Sequence, residues 1–447
     1  MPYYKSIAAT LLVLTALPGA SLEAGQDLST EVDNYMHAQV TVNHFSGSIL
    51  IARKSEITVS KRYGLTGAES APSNALKTRF RLGSIAMQFT DLAILQLQEK
   101  NKLHVHDSVC LYITECPHEW GQITLLDLMV HSSGIPEISD NSGHESSDLS
   151  PPTISVLVAR IKKESLRFKP GEKVDDSYSD DEILDAIIEG TSGETYTDYL
   201  KRHIFIPLGM HHTGYYLALR THRQSGTLPL LMPSDIQRAS LYTAGGFYST
   251  VEDLYLWNRA FSNDKLVSQK TVQAIFTPYR DGYGLGWKIR MESDRRLVTP
   301  GGGLSSYSTS ILRYPDPDDD ACVVVLSRSE STDAARVGQD LAAILFGMHY
   351  ELPKQYKAIN LDPGIYDDYV GRYALTPDFV LAVTKEGDRL MIQGFDQAKT
   401  ELFPRSKSQF FTNRSEATIN FIKTSNGRVT QLILQQGGRD IPVAKLN

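Results

Sequence analysis

Hydrophobic and polar residues follow two different periods along this chain, and the change of period divides it into two regions. Between residues 25 and 350, helical repeats of apolar residues are mixed with short apolar runs that are typical of strands. After residue 366 only short alternating segments follow, interrupted by turns at Gly387 and Asn426. The pattern predicts a mixed domain at 25–350, a connector at 351–365 and an all-β domain at 366–447.

The same pattern predicts individual elements. In the first region we expect helices at 28–36, 87–99, 124–130 and 153–163, and strands at 45–52 and 56–64 that begin an antiparallel sheet. Ser249 or Thr250 is expected to cap a further helix. In the second region the predicted strands are at 380–384, 390–393, 418–422 and 429–434.

The beginning of the chain has the pattern of a secretory signal peptide. Lys5 precedes an apolar run at 7–17, and small residues that suit cleavage follow at 18–24. The apolar run is too short to span a membrane. We therefore expect residues 1–24 to be removed and the mature protein to be secreted or periplasmic.

Composition and charge narrow the function classes. Apolar residues make up 41% of the 447 residues, and the formal net charge is a mild -7, which argues against nucleic-acid binding through a basic surface. Cys110 and Cys116 either bridge a small loop or remain separate thiols. The acidic residues between 175 and 182 have no histidine at ligand spacing, so we expect neither a metal nor a cofactor.

Ser84 is the first candidate for chemistry. It stands just ahead of apolar residues at helical spacing, so it is expected at or just inside a helix N-terminus, where free N–H groups favour negative charge. A serine in such a position is more often an N-cap than a nucleophile. The surrounding sequence decides between the two interpretations.

Several blocks, in order and at matching spacing, resemble the β-lactamase-related serine hydrolases, which include class C β-lactamases and penicillin-binding-protein-like peptidases and esterases. The blocks are 80–90, 131–136, 204–214, 244–257 and 298–310. The resemblance implies an antiparallel sheet with helices on both faces, followed by a small lipocalin-like β-barrel. It also implies acyl transfer by a serine, here Ser84. His131 opens one block, but we interpret it as a helix-end or core histidine.

Three positions depart from the motifs that the resemblance implies. Met87 stands where the S-x-x-K motif has its lysine, and it neither accepts a proton nor carries a charge. Pro300 replaces a histidine or lysine on the strand that borders the serine. The glycines that follow, Gly301, Gly302 and Gly303, remain as candidate substrate-binding backbone.

The third departure concerns a Y-S-N motif, whose tyrosine serves as base or proton relay. An ungapped register places Asp176 at the tyrosine position and Tyr178 at the asparagine position, and we favour it. A slip of two residues would instead give Tyr178 the tyrosine's role. Asp176 and Tyr178 are therefore both candidate catalytic residues.

These departures lead to three hypotheses. The first is an exported serine hydrolase homologue with lost or strongly weakened acyl-hydrolase activity and a pocket kept for ligands. The second is an active hydrolase in which Asp176 or Tyr178 serves as the base for Ser84. The third is a structural or partner-binding module with a closed pocket. The expected ligands of the first two are small esters, amides or cell-wall peptides, which the sequence does not rank.

Overall fold

The computed structural model describes residues 19–64, 78–138, 153–215, 246–300, 303–304, 307–329, 332–376, 379–394, 399–412, 417–436 and 439–446. Most of the predicted signal segment lies outside these residues. The first helix, Gly19–Asn43, covers the predicted helix at 28–36 and extends beyond it at both ends.

The α-helices of the described residues lie in the first region. They are Gly19–Asn43, Met87–Glu99, Leu125–Met129, Ile154–Ile161, Tyr178–Ser192, Tyr196–Leu200, Ile206–Leu208, Val251–Ala260, Gln269–Ile275 and Ala334–Leu345. We call Met87–Glu99 the serine helix and Tyr178–Ser192 the tyrosine helix. The predicted helix at 87–99 is confirmed at both ends. Thr250, and not Ser249, accepts the capping hydrogen bond, from the N–H of Asp253.

The strands of the first region are β1 (Gly47–Arg53), β2 (Glu56–Tyr63), β3 (Phe80–Arg81), β4 (Gly214–Tyr215), β5 (Phe247–Ser249), β6 (Lys288–Glu292), β7 (Arg295–Thr299), β8 (Gly303–Leu304), β9 (Tyr307–Tyr314) and β10 (Ala321–Ser327). Seven of them form an antiparallel sheet in the order β2-β1-β10-β9-β7-β6, with β8 paired to β9. Strands β3, β5 and β4 form a small second sheet.

The centre of the large sheet is buried on both faces, which explains why β1 and β10 have continuous apolar sequences. Ile49 and Val323 pack on one face with the first and last helices, Gly19–Asn43 and Ala334–Leu345. Leu50 and Val324 point to the other face and pack with the serine helix. Alternate residues of one strand thus contribute to two cores, as strand geometry requires.

The second region is a closed barrel of eight antiparallel strands. They are β11 (Gly371–Thr376), β12 (Phe379–Glu386), β13 (Arg389–Gln393), β14 (Thr400–Pro404), β15 (Gln409–Phe411), β16 (Thr418–Lys423), β17 (Val429–Gln436) and β18 (Arg439–Lys445). Its core contains stacked aromatic side chains: the rings of Tyr369 and Phe421 lie 4.5 Å apart. The predicted mixed domain and the predicted β-barrel are both confirmed.

Candidate active site

Ser84 lies in a short turn that is fixed on both sides. Strand β3 pairs with β5, and the next residue, Leu82, donates from its N–H to the Phe247 carbonyl at 3.0 Å. The Leu82 carbonyl accepts a hydrogen bond from Thr309 Oγ1 at 2.9 Å. A 3₁₀ turn, Gly83–Ala86, then leads directly into the serine helix. The backbone of Ser84 is therefore held between both sheets and the helix.

The side chain of Ser84 faces a cleft. Between residues 80 and 97 every side chain is buried except Ser84 and Met87, which are half-buried. The spacing of three residues places both on the same side of the turn and helix. Ser84 does not cap the helix, because neither the turn nor the serine helix has a side-chain cap. The N-cap interpretation of Ser84 is therefore wrong.

Tyr178 is the titratable residue that the structure brings to Ser84. It begins the tyrosine helix, and its hydroxyl lies 3.4 Å from Ser84 Oγ. Asp176 lines the same cleft but makes no hydrogen bond to Ser84; it accepts one from the hydroxyl of Tyr283, and Lys288 Nζ lies 3.4 Å from its Oδ2. Our preference for Asp176 in the place beside the serine does not match this geometry.

The environment of Tyr178 keeps its hydroxyl protonated. Burial raises the pKa of Tyr178, and the charges of Glu137, Asp181 and Asp176 raise it further, although the hydrogen bond with Ser84 lowers it. The ordinary pKa of a tyrosine is already near 10. At neutral pH this hydroxyl is available to pass a proton between partners but not as an ionised base.

His131 forms a charged pair in the wall of the same cleft. It follows the helix Leu125–Met129 with a left-handed backbone (φ 54°), and its Nδ1 lies 3.2 Å from Asp180 Oδ2. Ser133 Oγ donates to the other oxygen of Asp180 at 2.5 Å. Burial alone would lower the pKa of His131, but the hydrogen bond with Asp180 and the nearby carboxylates raise it to about 9. His131 is thus buried at a helix end, as predicted, and it is also a cationic wall of the site.

Two further carboxyl groups are buried behind this pair. Burial raises the pKa of Asp181 to about 7, and burial together with the charge of Asp181 raises the pKa of Asp91. Asp91 Oδ1 and Asp181 Oδ2 have no hydrogen-bond partner among the described residues. Gly286 approaches closely: a Cβ added there would lie 2.5 Å from Asp91 Oδ2. Only glycine suits this position, since its φ of +77° is also left-handed.

The cleft has a volume of about 360 Å³ and an open mouth. Met87 and Pro300 both line it, so two of the motif positions that have lost their charged groups face the same space as Ser84. Gly301 and Gly302 lie outside the described residues, and Gly303 begins β8, where it pairs with Ser308. The third hypothesis needs a closed pocket, and this open cleft does not support it.

Tyr283 and Lys288 line the cleft and were not recognised as site residues in the sequence. Tyr283 forms an isolated antiparallel β-bridge with Lys288, the first residue of β6. The only sequence signal was their position in the run that opens the returning strands. That run carries no catalytic motif.

Three general features complete the description of the site and chain. Cys110 and Cys116 form a disulfide with Cα atoms 5.3 Å apart, which decides between the two alternatives left open by the sequence. In the part of the chain that the structure describes, no group of three or more His, Cys, Asp and Glu side chains is placed to hold a metal ion. The helices of that part are too short or too polar to cross a membrane.

Comparisons with known proteins agree with this architecture. A family model described as Beta-lactamase matches residues 20–346, and one described as a domain of unknown function (DUF3471) matches residues 355–445. Penicillin-binding protein 4* of Bacillus subtilis is 28% identical over 436 residues, which cover 89% of this chain and 94% of that protein.

Two other proteins are similar. The putative penicillin-binding protein PbpX of Bacillus subtilis is 32% identical over 297 residues, or 64% of this chain and 72% of that protein. The octameric penicillin-binding protein homologue from Pyrococcus abyssi has the same fold, with a TM-score of 0.63 at 22% identity, over 93% of this chain and 99% of that one. Since the β-lactamase model covers most of the chain, the protein belongs to the β-lactamase family, with the fold of penicillin-binding-protein-like serine hydrolases.

Proposed function

We propose that this protein is a serine acyl hydrolase of low turnover, with Ser84 as nucleophile and Tyr178 as the group through which the serine proton leaves. The observation that carries the proposal is the 3.4 Å separation of the two hydroxyls in an open cleft. This distance is long for an O–H···O hydrogen bond, but catalytic hydrogen bonds of free enzymes often tighten only when substrate binds.

The chemistry follows from two neutral hydroxyls. Ser84 Oγ bonds to the carbonyl carbon of an ester or amide, and the bond from that carbon to the leaving group breaks. The proton of Ser84 passes to the Tyr178 oxygen while Tyr178 gives its own proton to the leaving group. Water then attacks the acyl carbon, and protons move along the same path in the opposite direction. The bond to Ser84 Oγ breaks, which releases the acid and regenerates the serine. No ionised base is needed, so the raised pKa of Tyr178 is compatible with this path.

Low turnover is expected because two of the groups that assist the serine in relatives are absent. Met87 is uncharged and lies one turn from Ser84, and Pro300 contributes neither a charge nor a backbone donor. A well-positioned acid or base contributes about 100- to 10,000-fold to rate. We therefore propose the weakened form of family chemistry, with the cleft kept for acyl ligands.

Export is part of the same proposal. The apolar run at 7–17 with small residues after it supports a cleaved signal. The disulfide between Cys110 and Cys116 also supports it, because disulfides persist mainly in oxidising compartments. The names of the relatives suggest penicillin as a probe, and a cleft of about 360 Å³ falls within the usual range for small-molecule sites.

The test is covalent labelling of the protein with a fluorophosphonate and with a penicillin, followed by intact-mass measurement. We expect slow adducts that vanish in Ser84→Ala and form about tenfold faster in Met87→Lys, since a lysine there would share the serine proton. Met87→Leu is the matched control and should behave like the unchanged protein. If neither the unchanged chain nor Met87→Lys is labelled, Ser84 is not an activated nucleophile and the proposal fails.

A further inference from the structure

A carboxylate is already seated in the cleft, and it belongs to the chain itself. The hydroxyl of Tyr283 donates a hydrogen bond to Asp176 Oδ1, and Lys288 Nζ lies 3.4 Å from Asp176 Oδ2. The same ammonium group lies 4.7 Å from the centre of the Tyr283 ring. One carboxylate thus meets a hydroxyl donor on one oxygen and a cation on the other.

Tyr283 and Lys288 are held side by side by the backbone. The two residues form an isolated antiparallel bridge, and Lys288 then begins β6, where it pairs with Thr299 of β7. Asp176 comes from a different element, the segment just before the tyrosine helix. The donor pair therefore belongs to one wall of the cleft, and the carboxylate reaches it from another.

The contact with Asp176 is of a kind that a ligand can replace. The side chains of Lys288 and Asp176 are 44% and 60% exposed, and ion pairs with such exposure are weak. Partial burial would raise the pKa of Asp176, but the hydrogen bond with Tyr283 and the charges of His131 and Lys288 lower it. Asp176 is therefore ionised at neutral pH, so the group seated there is an anion.

We propose that Asp176 blocks part of this cleft in the free protein: its carboxylate occupies an anion subsite formed by Tyr283 and Lys288, and an acyl substrate that carries a carboxylate must displace it. This inference rests on the proposed function, because it concerns the access of substrates to the same cleft. Binding would exchange one carboxylate for another, so Asp176 also limits access to the subsite.

Lys288 is the cation of the cleft that is best placed to meet such a ligand. His131 also lines the cleft, but its positive charge is already paired with the buried Asp180. Lys288 is paired only with the exposed carboxylate of Asp176 among the ion pairs of the described residues. Removal of Asp176 leaves the hydroxyl and the ammonium facing the cleft without their anion.

The experiment measures acylation of Ser84 by matched esters. The probes are the p-nitrophenyl half-esters of succinic, glutaric and adipic acid and their methyl-capped, uncharged counterparts, with adducts quantified by intact mass. For each pair the ratio of the anionic to the neutral rate constant is the readout. The variants are Asp176→Ala, Lys288→Gln and Tyr283→Phe. The control is Arg290→Gln, which removes a charge of similar exposure from the same strand but outside the cleft.

We expect Lys288→Gln and Tyr283→Phe to lower the ratio by about fivefold and Asp176→Ala to raise it by about fivefold for the half-ester of fitting length. Arg290→Gln should change it less than about twofold. Tyr283→Phe removes a single oxygen and should leave the fold intact. A lower ratio in this variant would therefore report loss of the subsite and not loss of folding.

Two results would overturn the inference, and they differ. In the first, adducts depend on Ser84, but the ratio is the same in Lys288→Gln, Asp176→Ala and Arg290→Gln. This result would disprove the carboxylate subsite and leave the proposed function unaffected. In the second, no ester gives an adduct on the unchanged chain, as none does on Ser84→Ala. This result would disprove both the proposed function and the inference.

Discussion

Two of the interacting side-chain pairs at the cleft have opposite character. Ser84 and Tyr178 are half-buried, uncharged hydroxyls whose oxygens lie 3.4 Å apart. His131 and Asp180 are buried, and their atoms lie 3.2 Å apart in a charge-assisted contact. The first pair holds the atoms that would react, and the second is a buried pair of charges.

The difference shows that charged groups lie in the wall of the cleft and not beside the nucleophile. The apolar Met87, one turn from Ser84, adds no charge beside the nucleophile, while a charged pair and the carboxyl of Asp181 are buried in the neighbouring wall. Burying charges is costly unless they are paired. We therefore expect the uncharged pair to control reactivity and the charged pair to control stability. Separate measurements of the two properties test that division.

The largest expected effect is on reactivity. Tyr178→Phe removes the only hydroxyl within hydrogen-bond distance of Ser84 Oγ among the described residues, so the serine proton loses its path. Acylation of Ser84 should slow by about 100-fold or more, as for other positioned proton-transfer groups. The thermal midpoint should change little, and the measurement is intact-mass labelling with a fluorophosphonate beside a melting curve.

The matched control is Tyr279→Phe, which removes a hydroxyl from an exposed ring outside the cleft. Both variants should have the same thermal midpoint, and only in Tyr178→Phe should the fluorophosphonate label Ser84 slowly. Equal labelling of the two variants would mean that Tyr178 takes no part in moving the proton.

Much of the fold was predictable because it follows from local patterns. The serine helix begins at Met87 and ends at Glu99 as predicted, since its apolar repeat is uninterrupted. The strands of the barrel at 390–393, 418–422 and 429–434 were also found from alternation and turn residues. The closure of the barrel was expected only from the resemblance, because pairing between β11 and β18 joins distant parts of the chain.

The site was predictable only where a motif names a residue. Ser84 was found in this way. Tyr283 contacts Asp176, which lies 107 residues away in the sequence, and no periodic pattern of residues predicts such a contact. The choice between Asp176 and Tyr178 depended on where the tyrosine helix starts, and sequence patterns place such boundaries poorly. His131 was judged from its helix end alone, although its partner Asp180 lies 49 residues away.

The second expected effect is on stability. His131→Gln removes the cation that pairs with Asp180 and leaves a buried carboxylate whose one remaining hydrogen-bond donor among the described residues is Ser133. Breaking a buried ion pair in this way costs about 3 kcal/mol. Chemical denaturation at pH 7 should show this loss, while His118→Gln, at an exposed histidine, should show almost none.

A double variant sharpens the interpretation. If the loss comes from an unpaired charge, Asp180→Asn should recover part of the stability when it is combined with His131→Gln. Losses that simply add would show that the two side chains contribute independently, and the charged pair would then not be the source of stability.

The smallest expected effect is a change in how stability depends on pH. The pKa of Asp181 is about 7 in the folded chain against an ordinary 3.8, so from about pH 4 to 7 the unfolded chain releases this proton and the folded chain retains it. Stability therefore falls as pH rises through that window. His131, with its pKa raised to about 9 from 6.5, acts in the same direction at higher pH: its stabilising charge is fully present below about pH 6.5 and is lost as pH rises through 9.

Asp181→Asn separates these two windows. Because the amide does not titrate, the decline between about pH 4 and 7 should flatten, and the variant should be more stable than the unchanged chain at pH 8 by roughly 1–2 kcal/mol. The decline above about pH 6.5 should remain but end at lower pH, because His131 has lost one of the carboxylates that raise its pKa in the folded chain. Denaturant titrations from pH 4 to 9 measure both parts, with Asp264→Asn on the exposed surface as control. A variant whose curve runs parallel to that of the unchanged chain would show that Asp181 is ionised in the folded protein, and the wall of the cleft would then hold more negative charge than its single histidine can balance.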